Sequence, residues 1–369
     1  MKKNLLEVCF SPDLGGLELY MVRCAKALNS EFNVTSIINP LGKLEQYYKG
    51  SEYKYRLIKK SSNILMFSAA RKLSKIIDEL GIDIIHIHWT KDIPIAVLAK
   101  KLSSKDVQIA QTRNMTMTRF KDDFYHRFLY KNIDLMLPVT FQVAEQIKKF
   151  VPQEIRPKVE VLYMGSEKVK LLNEEEVLAQ RSELGMSDSF CVGLVGRIEE
   201  VKGQYLLIEA IQMLVEKGLN VKAYFVGHAM HESYLQELKA KVEDKNLQNS
   251  VVFVGFLKNP FHFMQICNVI VMATKCETFG LVLSEAMHTK TAVIGANACG
   301  ALEIIDDNEN GLLFENQNSN SLHEKIELLI KSETMTNKIA ESGFMKANEK
   351  FNSALQFEKL AKIFEELIS

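Results

Sequence analysis

The feature that most constrains this fold is a repeated alternation between short apolar segments and longer amphipathic ones. In the stretch that follows the first apolar segment, one helical face carries Leu17, Tyr20, Met21, Cys24, Ala25 and Leu28. Parallel sheets covered by helices on both sides produce this alternation, so we predict an α/β protein. The predicted strands are 4–10, 33–38, 82–88, 107–112, 133–139 and 159–164, followed by 190–196, 221–227, 251–256, 269–274, 292–296 and 311–315.

The chain has 369 residues, which is too long for one ordinary core and indicates two domains. A polar, acidic stretch interrupts the alternation after Gly165. We therefore predict a first Rossmann-like domain at 1–165, a linker at 166–189 and a second Rossmann-like domain at 190–352. Doubly wound sheets bind ligands beyond the carboxyl ends of their strands, so a cleft that the two domains face is the expected site.

Composition excludes several classes of protein. Apolar residues make up 47% and charged residues 25%, which is typical of a globular chain and not of a disordered one. No stretch reaches the roughly 20 apolar residues of a membrane span, and the short N-terminal apolar run reads as a strand and not as a signal peptide. We therefore expect a cytoplasmic protein whose six cysteines are reduced and buried, with a zinc site as the alternative.

The charge is unevenly distributed, although the net charge is zero. Residues 1–165 have an excess of Lys and Arg, and residues 166–369 have an equal excess of Asp and Glu. Such a division indicates that the two halves meet different partners, or that they attract each other.

Gly15 and Gly16 separate the first predicted strand from the helix that follows. Without Cβ atoms the backbone can approach a ligand closely, and a helix N-terminus attracts anions. The pattern is not the dinucleotide-binding fingerprint, and a simple tight turn explains it equally well.

Arg197 and Lys202 flank the loop after the strand at 190–196. Two cations at the carboxyl end of a strand suit a diphosphate, because each can donate charge-assisted hydrogen bonds to its oxygens. The alternative is that both are solvated loop charges paired with Glu199 and Glu200.

Glu277 and Glu285 stand eight residues apart in "KCETFGLVLSEAMH". If this segment were helical throughout, they would lie roughly 12 Å apart, which disfavours the carboxylate pair of a glycosidase. Closer acidic pairs are typical of magnesium sites. We predict instead that Glu277 lies in a loop, that a helix begins near Phe279–Leu281, and that Glu285 lies one turn further along. Two such carboxylates suit the hydroxyl groups of a long ligand.

Together, "DLGGLELY", "GRIEEVKG", "ETFGLVLSEAM" and "GALEIIDDNENGLLF" resemble the GT-B glycosyltransferases of family 4, also called glycosyltransferase group 1. The resemblance spans nearly the whole chain, and its most specific motifs lie in the C-terminal half. It implies two Rossmann-like domains that face a cleft. The first would be on the acceptor side and would be joined by the C-terminal helix at 353–369, and the second would bind a nucleotide-sugar donor.

The resemblance also implies roles for individual residues. Arg197 and Lys202 would neutralise the departing diphosphate, Glu277 would contact the donor sugar and Glu285 would bind the ribose. Because fixed cations stabilise the leaving group, no metal ion or other cofactor would be required. Phe256 and Leu257 would lie near the base. Gly15 and Gly16 would close the site from the first domain. The residues that would meet the sugar and phosphates are Thr278, Phe279, Gly280 and Leu281.

One region departs from the family pattern. Relatives often carry a histidine after the fourth strand of the first domain, whereas this chain has "AQTRNMTMTRF". Arg113 and Asn114 are the candidates to replace it as hydrogen-bond donors. His86 and His88 end a predicted strand, and either a role in the cleft or simple packing explains them.

The acceptor side has a basic, aromatic character. Residues 118–132 and 54–60 mix Lys and Arg with Phe and Tyr, which suits an anionic membrane or a lipid-linked glycan. An ordinary amphipathic helix is the alternative, and we predict no nucleic-acid partner because no reader module is present.

We therefore expect a retaining, metal-independent glycosyltransferase that moves a sugar from a UDP- or GDP-sugar to a glycan or lipid-linked acceptor. Cell-surface polysaccharide biosynthesis, of lipopolysaccharide or capsule, is the expected process. The enzyme would be cytoplasmic, with peripheral contact on the inner face of the membrane. The alternatives are a nucleotide-sugar epimerase or hydrolase on the same scaffold, and a non-catalytic nucleotide-sugar binding protein.

Overall fold

A computed structural model describes residues 2–40, 42–60, 66–186 and 188–369. The chain divides into two compact units: Met1–Tyr163 with Ala354–Ser369, and Met164–Ser353. Each unit is built on a parallel sheet with helices packed against it. The predicted α/β class with two Rossmann-like parts is confirmed.

In the described part of the first unit, seven parallel strands form one sheet in the order β3-β2-β1-β4-β5-β6-β7. This doubly wound order changes direction between β1 and β4, so a crevice opens beyond the carboxyl ends of these two strands. The strands are β1 (Asn4–Cys9), β2 (Asn33–Ile38), β3 (Tyr55–Leu57), β4 (Ile84–Ile87), β5 (Gln108–Arg113), β6 (Leu135–Pro138) and β7 (Lys158–Val159). The helices between them are α1 (Gly16–Leu28), α2 (Met66–Leu80), α3 (Ile93–Leu102), α4 (Phe124–Tyr130) and α5 (Phe141–Phe150).

The second unit repeats this winding. Among its described residues, six parallel strands lie in the order β10-β9-β8-β11-β12-β13, and the direction changes between β8 and β11. The strands are β8 (Phe190–Val195), β9 (Val221–Val226), β10 (Val251–Gly255), β11 (Val269–Met272), β12 (Ala292–Ala296) and β13 (Leu312–Phe314). The helices are α6 (Glu174–Glu183), α7 (Gln204–Glu216), α8 (Glu232–Asp244), α9 (Phe261–Ile266), α10 (Leu281–His288), α11 (Ala301–Ile304), α12 (Ser319–Lys331) and α13 (Glu333–Lys350).

Apolar periodicity explains how the helices pack. On α1 the predicted apolar face is buried except for Leu17, which is half-buried. The larger core of the first unit lies between the sheet and α2, α3 and α5, and that of the second unit includes residues of α7, α8, α12 and α13. Burial of these faces removes apolar surface from water and holds each sheet between layers of helices.

Residues 166–189, predicted as a linker, are part of the second unit. They contain α6, whose first turn is capped because the Asn173 side chain accepts from Glu176 N and Glu176 accepts from Asn173 N. Leu172 and Gln265 exchange two hydrogen bonds, which attach this segment to α9. Residue 187 of the predicted linker lies outside the described residues.

The last helix, α14 (Ser353–Leu367), returns the chain to the first unit. Phe364 is fully buried there against His86 and Phe32, and the Lys359 ammonium donates to the carbonyl of Val161. The first unit is therefore built from both ends of the described chain.

Two strand predictions differ from the structure. The three-residue strand β3 was not predicted, and the predicted strand at 159–164 is reduced to β7. Beyond β7, Glu160 N and Leu162 N still donate to carbonyls of Met136 and Pro138, so the chain continues along β6 without forming a regular strand.

Candidate functional site

The predicted residues of the second unit follow the two strands at which its sheet changes direction. β8 ends at Val195, just before Arg197, and β11 ends at Met272, five residues before Glu277. Since β8 and β11 are hydrogen-bonded neighbours, the loops that follow them lie side by side. This is where a doubly wound sheet binds a ligand.

Lys202 and Glu277 form an ion pair between these two loops. The Lys202 Nζ lies 2.6 Å from Glu277 Oε2, with side chains 21% and 33% exposed. Gly203 allows the close approach: its φ is +72°, and a Cβ there would lie 2.3 Å from the carbonyl oxygen of Ala273. The amide of Lys275 also donates to the carbonyl of Val201. The Lys202 cation is therefore held over the end of β11 by backbone contacts.

Arg197 has different neighbours. Its guanidinium lies 2.9 Å from Glu199 Oε1 and contacts the sulfur of Met230, and its side chain is 52% exposed. Its carbonyl accepts from the side chain of the buried Gln204. The alternative interpretation pairs Arg197 and Lys202 with Glu199 and Glu200. Arg197 does pair with Glu199, but Lys202 pairs with Glu277 instead.

The loop after β11 leads into α10 as predicted. Gly280 has a φ of +94° and caps the helix, which begins at Leu281, and Phe279 is buried against Phe351. Thr278 and Glu285 are half-buried, the first in the loop and the second in the second turn of α10. The structure thus places Glu277 in a loop and Glu285 in a helix. Leu283 N donates to the carbonyl of Gly280, and the amides before it open the helix, which is the arrangement that attracts an anion.

A disulfide ties this loop to its neighbour. Cys276 is bonded to Cys299, which stands in the turn before α11, and Gly300 N donates to the carbonyl of Glu277. The prediction that all the cysteines are reduced is therefore wrong for these two. The other four, Cys9, Cys24, Cys191 and Cys267, are free and buried, as predicted.

Phe256 and Leu257 follow β10, which lies two strands from β8 and hence roughly 10 Å away. Phe256 is 68% exposed and contacts the ring of His228 at its edge, and Leu257 is half-buried. An exposed aromatic face at the carboxyl end of a strand can stack on a planar ring.

In the first unit, Gly15 caps α1 and Gly16 is its first residue, beyond β1 at the point where this sheet changes direction. Gly15 N donates to Glu18 Oε2, and its φ of −152° is one that any residue adopts. A Cβ on Gly16 would meet no atom within 4 Å. Neither the local backbone nor the packing within the structure requires glycine at these positions.

Arg113 and Asn114, which follow β5, differ in their surroundings. Arg113 is buried and its guanidinium donates to Thr90 Oγ1 and to the carbonyls of Met115 and Thr116, so it holds its own loop together. Burial lowers the pKa of this guanidinium. Asn114 is half-buried.

His86 and His88 are fully buried beside Glu7, which favours the packing interpretation over a role in a cleft. At the site of the second unit, sequence reasoning named Glu199 only as an alternative partner of the loop cations, and it missed Gly203 and the Cys276–Cys299 bond. The acidic residues after β8 were visible signals, whereas the partner of each cysteine was not.

Within the described residues, no helix combines the length and the apolar character needed to cross a membrane.

Comparisons with known proteins agree with this geometry. Residues 178–345 match the family described as "Glycosyl transferases group 1", and residues 7–146 match "Glycosyl transferase 4-like", so the two cover most of the chain.

Among curated proteins, the chain is 27% identical to the capsular polysaccharide biosynthesis glycosyltransferase CapM of Staphylococcus aureus, over 73% of each chain. It is also 27% identical to the N-acetylgalactosamine-N,N'-diacetylbacillosaminyl-diphospho-undecaprenol 4-alpha-N-acetylgalactosaminyltransferase of Campylobacter jejuni, over 72% of each.

Among solved structures, Anabaena Alr3699/HepE in complex with UDP has a TM-score of 0.88 at 20% identity, covering 98% of this chain and 100% of that one. The similarity in structure extends across both units and shows the GT-B fold. The chain belongs to the group 1 glycosyltransferases and is an enzyme that transfers glycosyl groups.

Proposed function

We propose that this enzyme is a retaining glycosyltransferase that takes its sugar from a nucleotide-diphospho-sugar and needs no metal ion for the transfer. The observation that carries the proposal is the Lys202–Glu277 pair at the carboxyl ends of β8 and β11, beside the N-terminus of α10. A sugar diphosphate can be bound by these three groups. The cation and the helix N-terminus bind its phosphates, and the carboxylate accepts hydrogen bonds from its hydroxyls.

In the proposed complex, Lys202 and Arg197 bind the diphosphate. Phosphate oxygens replace Glu277 and Glu199 as the partners of the two cations, and Glu277 is then free to accept hydrogen bonds from sugar hydroxyls. The backbone of Phe279–Leu281, with Thr278, meets the sugar and phosphates, and Glu285 accepts from the ribose. Phe256 and Leu257 lie against the base.

We further propose that the acceptor hydroxyl attacks the anomeric carbon on the face from which the diphosphate departs. The bond from the anomeric carbon to the phosphate oxygen breaks, and the bond to the acceptor oxygen forms. The acceptor proton passes to the departing phosphate oxygen. Lys202 and Arg197 stabilise the negative charge that develops on the diphosphate, which is the task that a divalent cation performs in other transferases.

The first unit supports an anionic acceptor. A cavity of about 600 Å³ lies beyond β4 and is lined by residues that include Lys60, Lys91, Lys121, Tyr125 and Tyr130. Lys60 is partly neutralised by the buried Asp92, 2.8 Å away, whereas Lys91 and Lys121 form no ion pair with another described residue. Lysines with tyrosines suit a phosphate-bearing glycan or a lipid-linked saccharide.

A patch of aromatic residues supports peripheral contact with a membrane. Around α4, Phe120 is 57% and Phe124 88% exposed, with Arg119 and Lys131 nearby in the sequence. Exposed rings beside cations suit the surface of an anionic bilayer. We propose that the enzyme acts in cell-surface polysaccharide biosynthesis, since the Staphylococcus relative is named for capsular polysaccharide and the Campylobacter relative for a saccharide on diphospho-undecaprenol. We place this activity, as part of the same proposal, on the inner face of the cytoplasmic membrane.

The donor is tested first by thermal unfolding with UDP, GDP and their sugar conjugates, because a ligand that binds the native state raises the melting temperature. The UDP compounds come first, since Anabaena HepE is described in complex with UDP. The ligand found is then incubated with acceptors, with and without a chelator. We expect transfer that survives the chelator, and a product with the anomeric configuration of the donor.

Other results would contradict particular parts of the proposal. An inverted product would exclude retention, and loss of transfer with the chelator while the melting temperature stays unchanged would exclude a metal-independent transfer step. A new nucleotide-sugar formed from donor alone would indicate an epimerase, and saturable binding without turnover on any acceptor would indicate a binding protein. For the membrane contact, co-sedimentation with neutral and anionic vesicles should show binding only to the anionic ones, decreasing with salt.

A further inference from the structure

The centre of the first sheet holds a cluster of four potential metal ligands, Glu7, Cys24, His86 and His88. All four are fully buried, and one ligand atom from each lies within 4.8 Å of the others. None of them belongs to the residues proposed to bind the donor. Burying polar and ionisable side chains costs free energy unless they are hydrogen-bonded, paired with an opposite charge or bound to a metal ion.

The topology brings the four residues together. Glu7 on β1 is the direct neighbour of His86 on β4, so their side chains lie on the same face of the sheet. His88 stands two residues beyond His86 and therefore points to that face as well. Cys24 comes from α1, which packs over it. The consecutive elements β1 and α1 and the distant end of β4 thus direct their ligand atoms to one point.

The ligand atoms are close enough together for one small cation to reach all four after side-chain adjustment. Glu7 Oε2 lies 2.9 Å from His86 Nδ1 and 2.5 Å from His88 Nε2. In a tetrahedral zinc site with bonds of about 2.0–2.3 Å, ligand atoms are about 3.3–3.8 Å apart. Glu7 Oε2 is thus closer to both imidazole nitrogens than it would be in a loaded site, while all four ligand atoms lie within 4.8 Å of one another. Small side-chain shifts would therefore create the site.

We propose that Glu7, Cys24, His86 and His88 bind a structural divalent metal ion, with zinc as the preferred ion. Two imidazoles, a carboxylate and a thiolate form a mixed nitrogen, oxygen and sulfur set that zinc accepts in tetrahedral geometry. The two anionic ligands balance the charge of the cation, so the buried site is neutral.

The surroundings fit a structural site. His86 Nε2 lies 2.8 Å from Thr112 Oγ1, a hydrogen bond that fixes the ring with Nδ1 facing the cluster. Tyr20 meets the ring of His88 at its edge, and Phe364 of α14 meets that of His86. The four ligands have no exposed surface, as in closed sites that hold a metal for stability and leave no position for a substrate.

Protonation adds a consequence. In the metal-free protein, burial and the Glu7 carboxylate raise the pKa of the Cys24 thiol. Zinc would displace this proton, because the metal binds the thiolate.

The test measures metal content in the full chain, produced in zinc-supplemented medium and purified without chelators or metal columns. We expect about one zinc per chain by elemental mass spectrometry in the wild type. Cys24→Ala should lose this zinc. Cys9→Ala is the matched control, since Cys9 is also a free and fully buried cysteine of the first unit but lies outside the cluster.

A second measurement reports on the sulfur ligand directly. Chains produced with cobalt in place of zinc should show a thiolate-to-cobalt charge-transfer band in the wild type and in Cys9→Ala, and not in Cys24→Ala. If neither the wild type nor the Cys9→Ala control contained metal, the proposal would be overturned. Glu7, His86 and His88 would then form only a hydrogen-bonded group. Equal metal in Cys24→Ala and Cys9→Ala, or cobalt without the band, would overturn this ligand set.

Discussion

The two units wind their sheets in the same order but place their charged residues at different depths. In the first unit, Glu7 and His86 lie inside the sheet on the neighbouring strands β1 and β4. In the second unit the corresponding strands, β8 and β11, are apolar throughout, and Lys202 and Glu277 follow in the loops. A charge inside a sheet is out of reach of solvent and must be balanced by the fold. A charge beyond the strand ends remains partly solvated and can exchange its partner for a ligand.

The largest effect is expected from the buried carboxylate. Burial would raise the pKa of Glu7, but His86 and His88 outweigh it and lower the pKa to about 2, and burial lowers the pKa of His88 to about 4. In the metal-free chain both values lie below those of the unfolded chain, so the unfolded state binds more protons and stability falls as the pH drops from about 6.5 to 2. Glu7→Gln should cost about 3–5 kcal/mol at pH 7 and flatten this decline.

A matched carboxylate of the second unit sharpens this prediction. Hydrogen bonds from Lys217 and Lys331 lower the pKa of Glu327 to about 2, but this network lies at the surface. Urea unfolding at several pH values, in low and high salt, should show that salt removes the effect of Glu327→Gln and leaves that of Glu7→Gln. Equal salt sensitivity of the two variants would contradict the difference in depth.

The next largest effect concerns turnover. Lys202→Ala should lower kcat/KM by about 10²–10³-fold, because a fixed charge that stabilises the leaving group is lost. The control is Lys241→Ala. Lys241 also pairs with a glutamate, Glu209 at 2.5 Å, with similar exposures of 31% and 32%, but between two helices. Similar kinetics for the two variants would contradict the proposed role of Lys202.

The disulfide should contribute less. Cys276 and Cys299 are 23 residues apart, and a loop of this length gives about 3 kcal/mol through the entropy of the unfolded chain. Cys276→Ser and Cys299→Ser should each lower the free energy of unfolding by this amount, and a reductant should have the same effect on the wild type only. The free buried Cys191, changed to Ala, controls for the loss of a thiol. Identical urea midpoints with and without reductant would show that the bond contributes nothing.

The smallest effect is expected at Gly16. Alanine there meets no atom within 4 Å and favours a helix by up to about 1 kcal/mol, so thermal stability should stay the same or rise slightly. If a ligand approaches this backbone, as the family resemblance implies, the added methyl group should weaken donor affinity by about tenfold. Unchanged affinity would mean that Gly15 and Gly16 only form a turn.

Local patterns predicted the strands and the place where α10 begins, because apolar periodicity and glycine act over a few residues. They missed β3, which has only three residues, and α6, which has no buried residue and therefore no apolar face. The capping residues Asn173 and Glu176 were a readable signal for α6.

Contacts between distant segments were not predictable in the same way. Glu7 in an apolar strand and the histidines of "IIHIHWT" were each visible, but only the register of β1 against β4 brings them together. The same holds for Cys276 with Cys299, and for Lys202, which turns to Glu277 and not to the nearer Glu200. In each case the partner depends on tertiary packing.

The return of α14 to the first unit affects the order in which the protein can fold during synthesis. Phe364 completes the layer over His86, so the first unit keeps an open apolar face until the ribosome has passed that residue. The second unit, Met164–Ser353, is a continuous segment that can fold earlier. The first unit, although most of it is translated first, is thus completed last, and until then the apolar surface that Phe364 covers stays exposed.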